Sequence, residues 1–300
     1  MTSPQLLFIH ALSPLHAGTG QSIGAIDLAI ARDRATQFPY LPGSSLKGSL
    51  RDVAGLTLLK NNEPDKDLIK RLFGPDTANA SEHAGSMIVS DANLLLLPVR
   101  SVAGTFAWVT SPYLLHRFAR DVKAAGLTSK LSLPPLSMKV DECVVGTKSS
   151  LIALMQPDRV IFEDLDLKSA KQTALDTFAG ELGKLVFADT YWQGSLAERL
   201  CIVHDDVMTF LSEHATDVVA RIALEDDTKT VKQGGLWYEE SLPTESILVG
   251  LVYVQPVGKA GSKPDELMKE AAKLMKASIQ LGGKATVGRG RCQLRLGGQP

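Results

Sequence analysis

Residues Leu15–Arg51 read LHAGTGQSIGAIDLAIARDRATQFPYLPGSSLKGSLR. Their order decides the fold. Gly18, Gly20 and Gly24 allow a turn with positive φ and close approach to a ligand. Ile26, Leu28 and Ile30 then alternate with Asp27, Ala29 and Ala31, a period of two that predicts a strand. Pro39 and Pro42 bound the next connection. Ser44 or Ser45 supplies a helix N-cap, and Leu46, Leu50, Val53 and Ala54 carry helical spacing to about Leu59.

Outward from that stretch, Gln5–Leu12 reads as a first strand. Ser86–Leu97 returns to apolar β character, and Ser111-Pro112 starts a helix that Gly126 closes. Ser169–Tyr191 is mostly helical. Glu225–Pro243 predicts a projecting hairpin about Gly234-Gly235. Ile247–Val254 is a buried strand. Pro264 opens a helix whose face is Leu267, Ala271, Leu274, Ser278 and Leu281 and which Gly282-Gly283 ends. Cys292–Leu296 is a last strand. Strands at both ends with helices between predict an α+β fold with a ferredoxin-like core. The expected organisation is one elaborated domain over 1–300. Insertions fall at about 60–86 and 204–245, and the hairpin at about 225–243.

Composition narrows the class. Of 300 residues, 44% are hydrophobic and 22% charged, ordinary for a globular chain. No apolar run is long enough to span a membrane, and Met1–Leu15 lacks the marks of a signal peptide. Three scattered cysteines, Cys143, Cys201 and Cys292, fit reduced thiols in a cytoplasm. The net charge of −1 argues against a surface coated with nucleic acid. A local basic groove is still possible, because nine Lys/Arg face three Asp/Glu from Lys259 to Pro300.

Four stretches can carry chemistry. In the first, His16 exchanges protons near neutral pH and Asp27 places a carboxylate in an apolar register. On spacing alone, a β-turn with a surface aspartate is the more economical reading. In the second, Gly43, Ser44 and Ser45 enter a helix whose N–H groups attract anions, with Lys47 and Arg51 on one face. An ordinary capped helix with solvated cations reads equally well. The third, Gly282–Arg291, holds four glycines and three cations, including Gly283, Lys284, Gly288, Arg289 and Arg291. That density favours approach to a nucleic-acid backbone over a loose turn. The fourth presents Trp237, Tyr238, Glu239 and Glu240. Aromatics on a hairpin can stack on bases, although alone they are more often core. No histidine pair has metal-ligand spacing, and neither a P-loop nor a G-x-S-x-G elbow occurs.

Taken in order, Leu15–Arg51 and the closing IQLGGKATVGRGR (Ile279–Arg291) resemble the paired signature motifs of the RAMP superfamily of type III CRISPR–Cas effectors. LPGSSLKGSLR, FGP at Phe73–Pro75, GSMIVSDANLLLLPVRS and TFAWVTSPYLL are similar to the fourth-subunit branch of the type III-B, Cmr-type complex rather than to its Csm-type counterpart.

The resemblance implies an RRM-like palm with a β-hairpin thumb. It implies copies of the chain stacked with other Cmr subunits along a guide CRISPR RNA, and cleavage of complementary single-stranded target RNA at regular intervals. Asp27 matches the family's cleaving acid and His16 a neighbouring motif position. Tyr238, Glu239 and Glu240 fall in a hairpin region sometimes implicated in cleavage. A divalent cation, Mg or Mn, loosely held at Asp27, would polarise the phosphate. The rival expectations are a guide-binding scaffold that cuts nothing and a guide-processing endoribonuclease. A metabolic enzyme lacks a cofactor motif to support it.

Overall fold

The computed structural model describes residues 2–297 except 21, 23, 76–82, 129–130 and 257–262. Four strands form its centre. The opening strand Gln5–Ala11 lies between the closing strand Arg291–Gly297 and Ile247–Val254, antiparallel to both. Ile247–Val254 in turn pairs antiparallel with the second strand, which comes in two pieces, Met87–Val89 and Ala92–Arg100. Helix Gly43–Thr57 connects the first strand to the second, and helix Pro264–Leu274 the third to the last. That is the ferredoxin-like order, with the last strand beside the first and the third between first and second.

Burial follows from alternation along the opening strand. Leu7, Ile9 and Ala11 enter one core with Leu46, Leu50 and Ala54 of the first helix and Ala271 and Leu274 of the second. Leu6 and Phe8 point the other way, into a core with Trp108, Phe118 and Phe178. A strand buried on both faces must be apolar throughout, which LLFI is. Each fully buried Leu or Phe contributes about 1.5–3 kcal/mol of transfer free energy.

Beyond Ala92–Arg100 the sheet continues through Phe106–Thr110, Leu200–Val203, Glu142–Val145, Leu165–Lys171, Gln156–Phe162 and Ile152–Ala153. Helices Pro112–Ala124 and Thr173–Val186 pack on the second face of the central strands, and Thr190–Arg199 packs against Phe106–Thr110. Ser111 caps the first of them and Gly126, at φ 72°, follows its end, as the sequence predicts. The region 169–191 is a strand to Lys171 before it is helical.

Four expectations are corrected. Residues 26–30 form no strand. Gly18, Glu239 and Pro39 each take a single bridge, to Ile30, Leu28 and Arg32, so no continuous ladder forms. The first helix starts at Gly43, whose N–H donates to Asp91 Oδ1 at 2.7 Å, and neither Ser44 nor Ser45 is its N-cap. Helix Pro264–Leu274 stops short of Ser278, because Ser278–Gln280 pairs with the closing strand as the sheet edge. Edge pairing there overrides the helical spacing. The hairpin joins Asp217–Leu224 to Val231–Ser241 and turns at residues 225–230. Its first strand is the β-branched run Val218, Val219, Ile222. Gly234 and Gly235 lie within the second strand, near a register shift.

Candidate functional site

The two glycine-rich motifs from opposite ends of the chain lie against each other. Gly283 N donates to His16 O at 2.9 Å and Gly290 N to Pro14 O at 2.8 Å. Gly282 has φ 69°, and a Cβ there would stand 2.3 Å from His16 O. Gly290 has φ 77°, and its Cβ would stand 2.0 Å from Leu281 O. Only glycine allows this contact. Beside it a cleft of about 290 Å3 is lined by Gly18, Pro42, Ser45, Ser49, Gly282 and Gly283. The start of helix Gly43–Thr57 thus shares a cleft with the loop, and Ser44 is exposed next to it.

The third component is the hairpin's second strand. Its edge pairs with the Leu15–Arg32 loop: Leu28 N donates to Tyr238 O at 3.1 Å, Glu240 N to Leu28 O at 3.0 Å and Leu242 N to Leu15 O at 2.9 Å. On the same edge, Tyr238 N donates to Asp27 Oδ2 at 2.8 Å. Two residues along, buried His16 places Nδ1 at 2.7 Å from Glu240 O. A carbonyl only accepts, so Nδ1 carries the proton and Nε2 remains the acceptor of the neutral ring. A Cβ on Gly18 would lie 2.7 Å from that Nε2. Asp27 itself is exposed.

The hairpin acids are internally paired. Glu239 is buried and accepts from Lys284 Nζ and Trp237 Nε1, both at 2.8 Å, with Arg221 Nε at 3.4 Å. Burial pushes its carboxyl up. The hydrogen bonds from Lys284 and Trp237 and the charges of Lys284 and Arg221 outweigh burial and hold it at about 2. Glu240 is buried against Arg32, Thr216 and the amide of Ile30. Tyr238 is exposed on the opposite face of the strand from Trp237 and Glu239.

The remaining cations divide. Lys47 donates to Met87 O at 2.8 Å, and Arg51 to Pro75 O at 3.1 Å, so both tie the first helix to the segments that follow it. Burial lowers the Lys47 ammonium's proton affinity, and Arg51 lowers it further. Arg289 is buried and donates to Ser241 Oγ at 2.6 Å, fixing the loop to the hairpin root. Arg291 is exposed, and Gly288 projects with nothing within 4 Å of a Cβ. The structure therefore brings His16, Asp27, Glu239, Trp237, Lys284 and Gly283 together around the hairpin's second strand, with the Tyr238 backbone holding Asp27 and its ring on the other face. It sets Lys47 and Arg51 further along the helix. Sequence reading missed Arg32 and Arg221, the partners of the hairpin acids. Arg221 stands opposite Trp237 only in the observed register.

The donor set for a divalent cation is small. Among the described residues no cluster of three His, Cys, Asp or Glu side chains has the geometry to hold a metal. Glu239 and Glu240 are occupied by cations, which leaves Asp27 Oδ1. One carboxylate oxygen suits a hydrated Mg2+ shared with substrate phosphates, which keeps most of its waters.

A glycine-rich cradle on a ferredoxin-like core, with a hairpin crossing it, is an architecture for gripping an RNA backbone. Residues 8–293 match the model of the RAMP superfamily, and the chain belongs to that superfamily. It is 35% identical over 300 residues to the CRISPR system Cmr endoribonuclease Cmr4 of Pyrococcus furiosus, covering 97% of this chain and 95% of that one. It is 25% identical to the CMR subunit Cmr4 of Saccharolobus solfataricus, over 96% of this chain and 94% of the other. The crystal structure of oligomeric Cmr4 from Pyrococcus furiosus superimposes with a TM-score of 0.75 at 27% identity, covering 99% and 98% of the two chains.

Proposed function

We propose that this chain is a backbone subunit of a type III-B CRISPR effector. It binds guide RNA as one of several stacked copies, together with other Cmr subunits, and cuts complementary target RNA. The observation that carries the reading is the convergence of His16, Asp27 and the glycine-rich loop on one edge of the hairpin. It occurs in a chain similar along its whole length to a Cmr endoribonuclease. Ser44 and Ser45, in the first turn of the helix that Gly43 opens, offer N–H groups to phosphates, Lys284 and Arg291 offer charge, Gly283 and Gly288 keep the loop open to close approach, and Trp237 and Tyr238 offer rings to bases. The subunit works in the cytoplasm. Among the described residues no helix is long and apolar enough to cross a membrane.

The nucleophile is RNA's own 2′-OH. Splaying a target nucleotide out of the duplex lets that hydroxyl align with the adjacent phosphorus, chiefly a positioning effect. His16 Nε2 is the ring atom available to the substrate. It accepts a proton while neutral and donates once protonated. Asp27, held at Oδ2 by Tyr238, presents Oδ1 to the phosphate. A divalent cation bound there would neutralise developing charge. Glu239 orients Lys284 and Trp237 rather than reacting. Products with 2′,3′-cyclic phosphate and 5′-OH ends are expected from a reconstituted effector with end-labelled target. Ends of 5′-phosphate and 3′-OH would require attack by water and overturn the mechanism.

A second reading, a guide-binding scaffold, draws on the internal pairing of Glu239 and Glu240, which leaves Asp27 as the lone acid. Target cutting that survives Asp27→Ala with assembly intact would select it.

A further inference from the structure

A cavity that the site above does not use lies at the sheet's free edge, on the face away from the two core helices. Phe8, His10, Gln293 and Arg295 share that face, since Phe8 lies opposite Arg295 and His10 opposite Gln293. In an RRM-type sheet this face carries the aromatics that stack on bases. Here the added helices cover most of it. At the outer strand they stop short and leave a cavity of about 540 Å3, within the range of small-molecule sites.

Its walls have two characters. Phe187 and the half-buried Trp192 supply aromatic surface, with His10 edge-on to both at 5.2 and 6.2 Å. His10 is held by Glu245 Oε2 at 2.5 Å from Nε2, and its Nδ1 has no partner among the described residues. The Gln293 amide donates to Lys276 O and Leu294 O, which leaves its oxygen as an acceptor. At the mouth stand two cations. Arg295 uses Nη2 on Lys184 O at 3.1 Å, and its other donors are unpaired among the described residues. Lys276 is exposed, and its ammonium makes no bond among them. The acid at the rim, Asp189, caps helix Thr190–Arg199 by accepting from Tyr191 N at 2.8 Å.

We propose that this cavity binds a nucleotide. The base lies against Trp192 and Phe187 with its edge toward His10 and Gln293, and the phosphate sits between Arg295 and Lys276. An apolar peptide side chain would leave the two cations and the free His10 and Gln293 atoms unmatched. The same chemistry belongs to a free ribonucleotide and to one nucleotide of an RNA strand.

The test is saturation-transfer NMR on the full-length chain with AMP, CMP, GMP and UMP, then with short oligoadenylate and oligouridylate. Base protons receive saturation in the wild type. Trp192→Ala weakens binding about tenfold, the scale of one stacked base, and Trp192→Phe restores it. Lys276→Glu, at an exposed position, weakens binding without lowering the melting temperature. Ultraviolet crosslinking in the assembled effector assigns the source: an RNA adduct at Trp192 means a strand nucleotide, and its absence alongside mononucleotide binding means a free one. No saturation from any of the ligands at millimolar concentration overturns the proposal. So does binding that Trp192→Ala and Lys276→Glu leave unchanged. Binding to the isolated chain is read without any cutting assay, so its failure is separable from failure of the nuclease reading.

Discussion

Asp27 Oδ2 accepts from the backbone amide of Tyr238 at 2.8 Å, across 211 residues of sequence. An exposed loop acid is thereby positioned by the hairpin's backbone, not by a neighbouring side chain. Asp27→Asn keeps an acceptor for that amide and removes the charge. Cutting by the reconstituted effector should fall by roughly 10²-fold or more, the scale of losing one positioned electrostatic group. Guide binding, target binding and melting temperature should stay near wild type. An unchanged ladder of end-labelled products would remove Asp27 from the reaction.

Much of the fold was legible because its strands are apolar on both faces and its helices carry i, i+4 spacing. Leu46, Leu50 and Ala54 are buried as that spacing requires. What was not legible depended on partners far away in sequence. Residues Ile26–Ile30 alternate like a strand, yet Ile30, Leu28 and Arg32 each meet a different segment. Ser278 continues a helical face, yet Ser278–Gln280 pairs as a sheet edge. At the site, glycines mark their own positions by chemistry, so each terminal motif was readable as a loop open to a ligand, whereas the contact between the two was not, because it depends on the closing strand lying beside the first. The ion pairs of Glu239 with Arg221 and Lys284 were not, because they depend on the hairpin register.

Glu239 makes the acid stability of the hairpin root testable. Its carboxyl sits at about 2, below the ordinary 4.5. Its contribution is therefore present in full above pH 4.5 and fades as pH falls toward 2. The gap corresponds to a few kcal/mol at most, on the order of 3. Glu239→Gln has no proton to gain and leaves Lys284 and Arg221 uncompensated. Melting curves should show the variant less stable at neutral pH, with the difference from wild type shrinking on acidification through that window. A constant difference across it would mean that the charge on Glu239 contributes nothing.

His16 owes its position to a missing side chain. A Cβ on Gly18 would stand 2.7 Å from Nε2, the ring nitrogen that Glu240 O leaves free. Gly18→Ala should push the ring aside and slow cutting with target binding retained, in the manner of His16→Ala. The double variant should be no slower than His16→Ala alone, because both changes act through one ring. Fully additive losses would show that Gly18 acts elsewhere, for instance on the RNA backbone.

The placement of the hairpin turn separates tolerated from damaging insertions. Asp226 and Asp227 are exposed at the tip, where Glu225 N closes on Thr230 O at 2.8 Å. Two residues added between them lengthen a short loop, which costs well under about 1 kcal/mol in closure entropy. Melting temperature and cutting should barely change. One residue added between Trp237 and Tyr238 is a different event, because side chains in a strand alternate faces and a one-residue slip reverses all of them. It would move the amide that holds Asp27 and swing Glu239 away from Lys284 and Arg221, stranding two cations. That variant should lose cutting and much of its stability together. Equal damage from the two insertions would place the turn elsewhere, at Gly234-Gly235, and would undo the register on which the site is built.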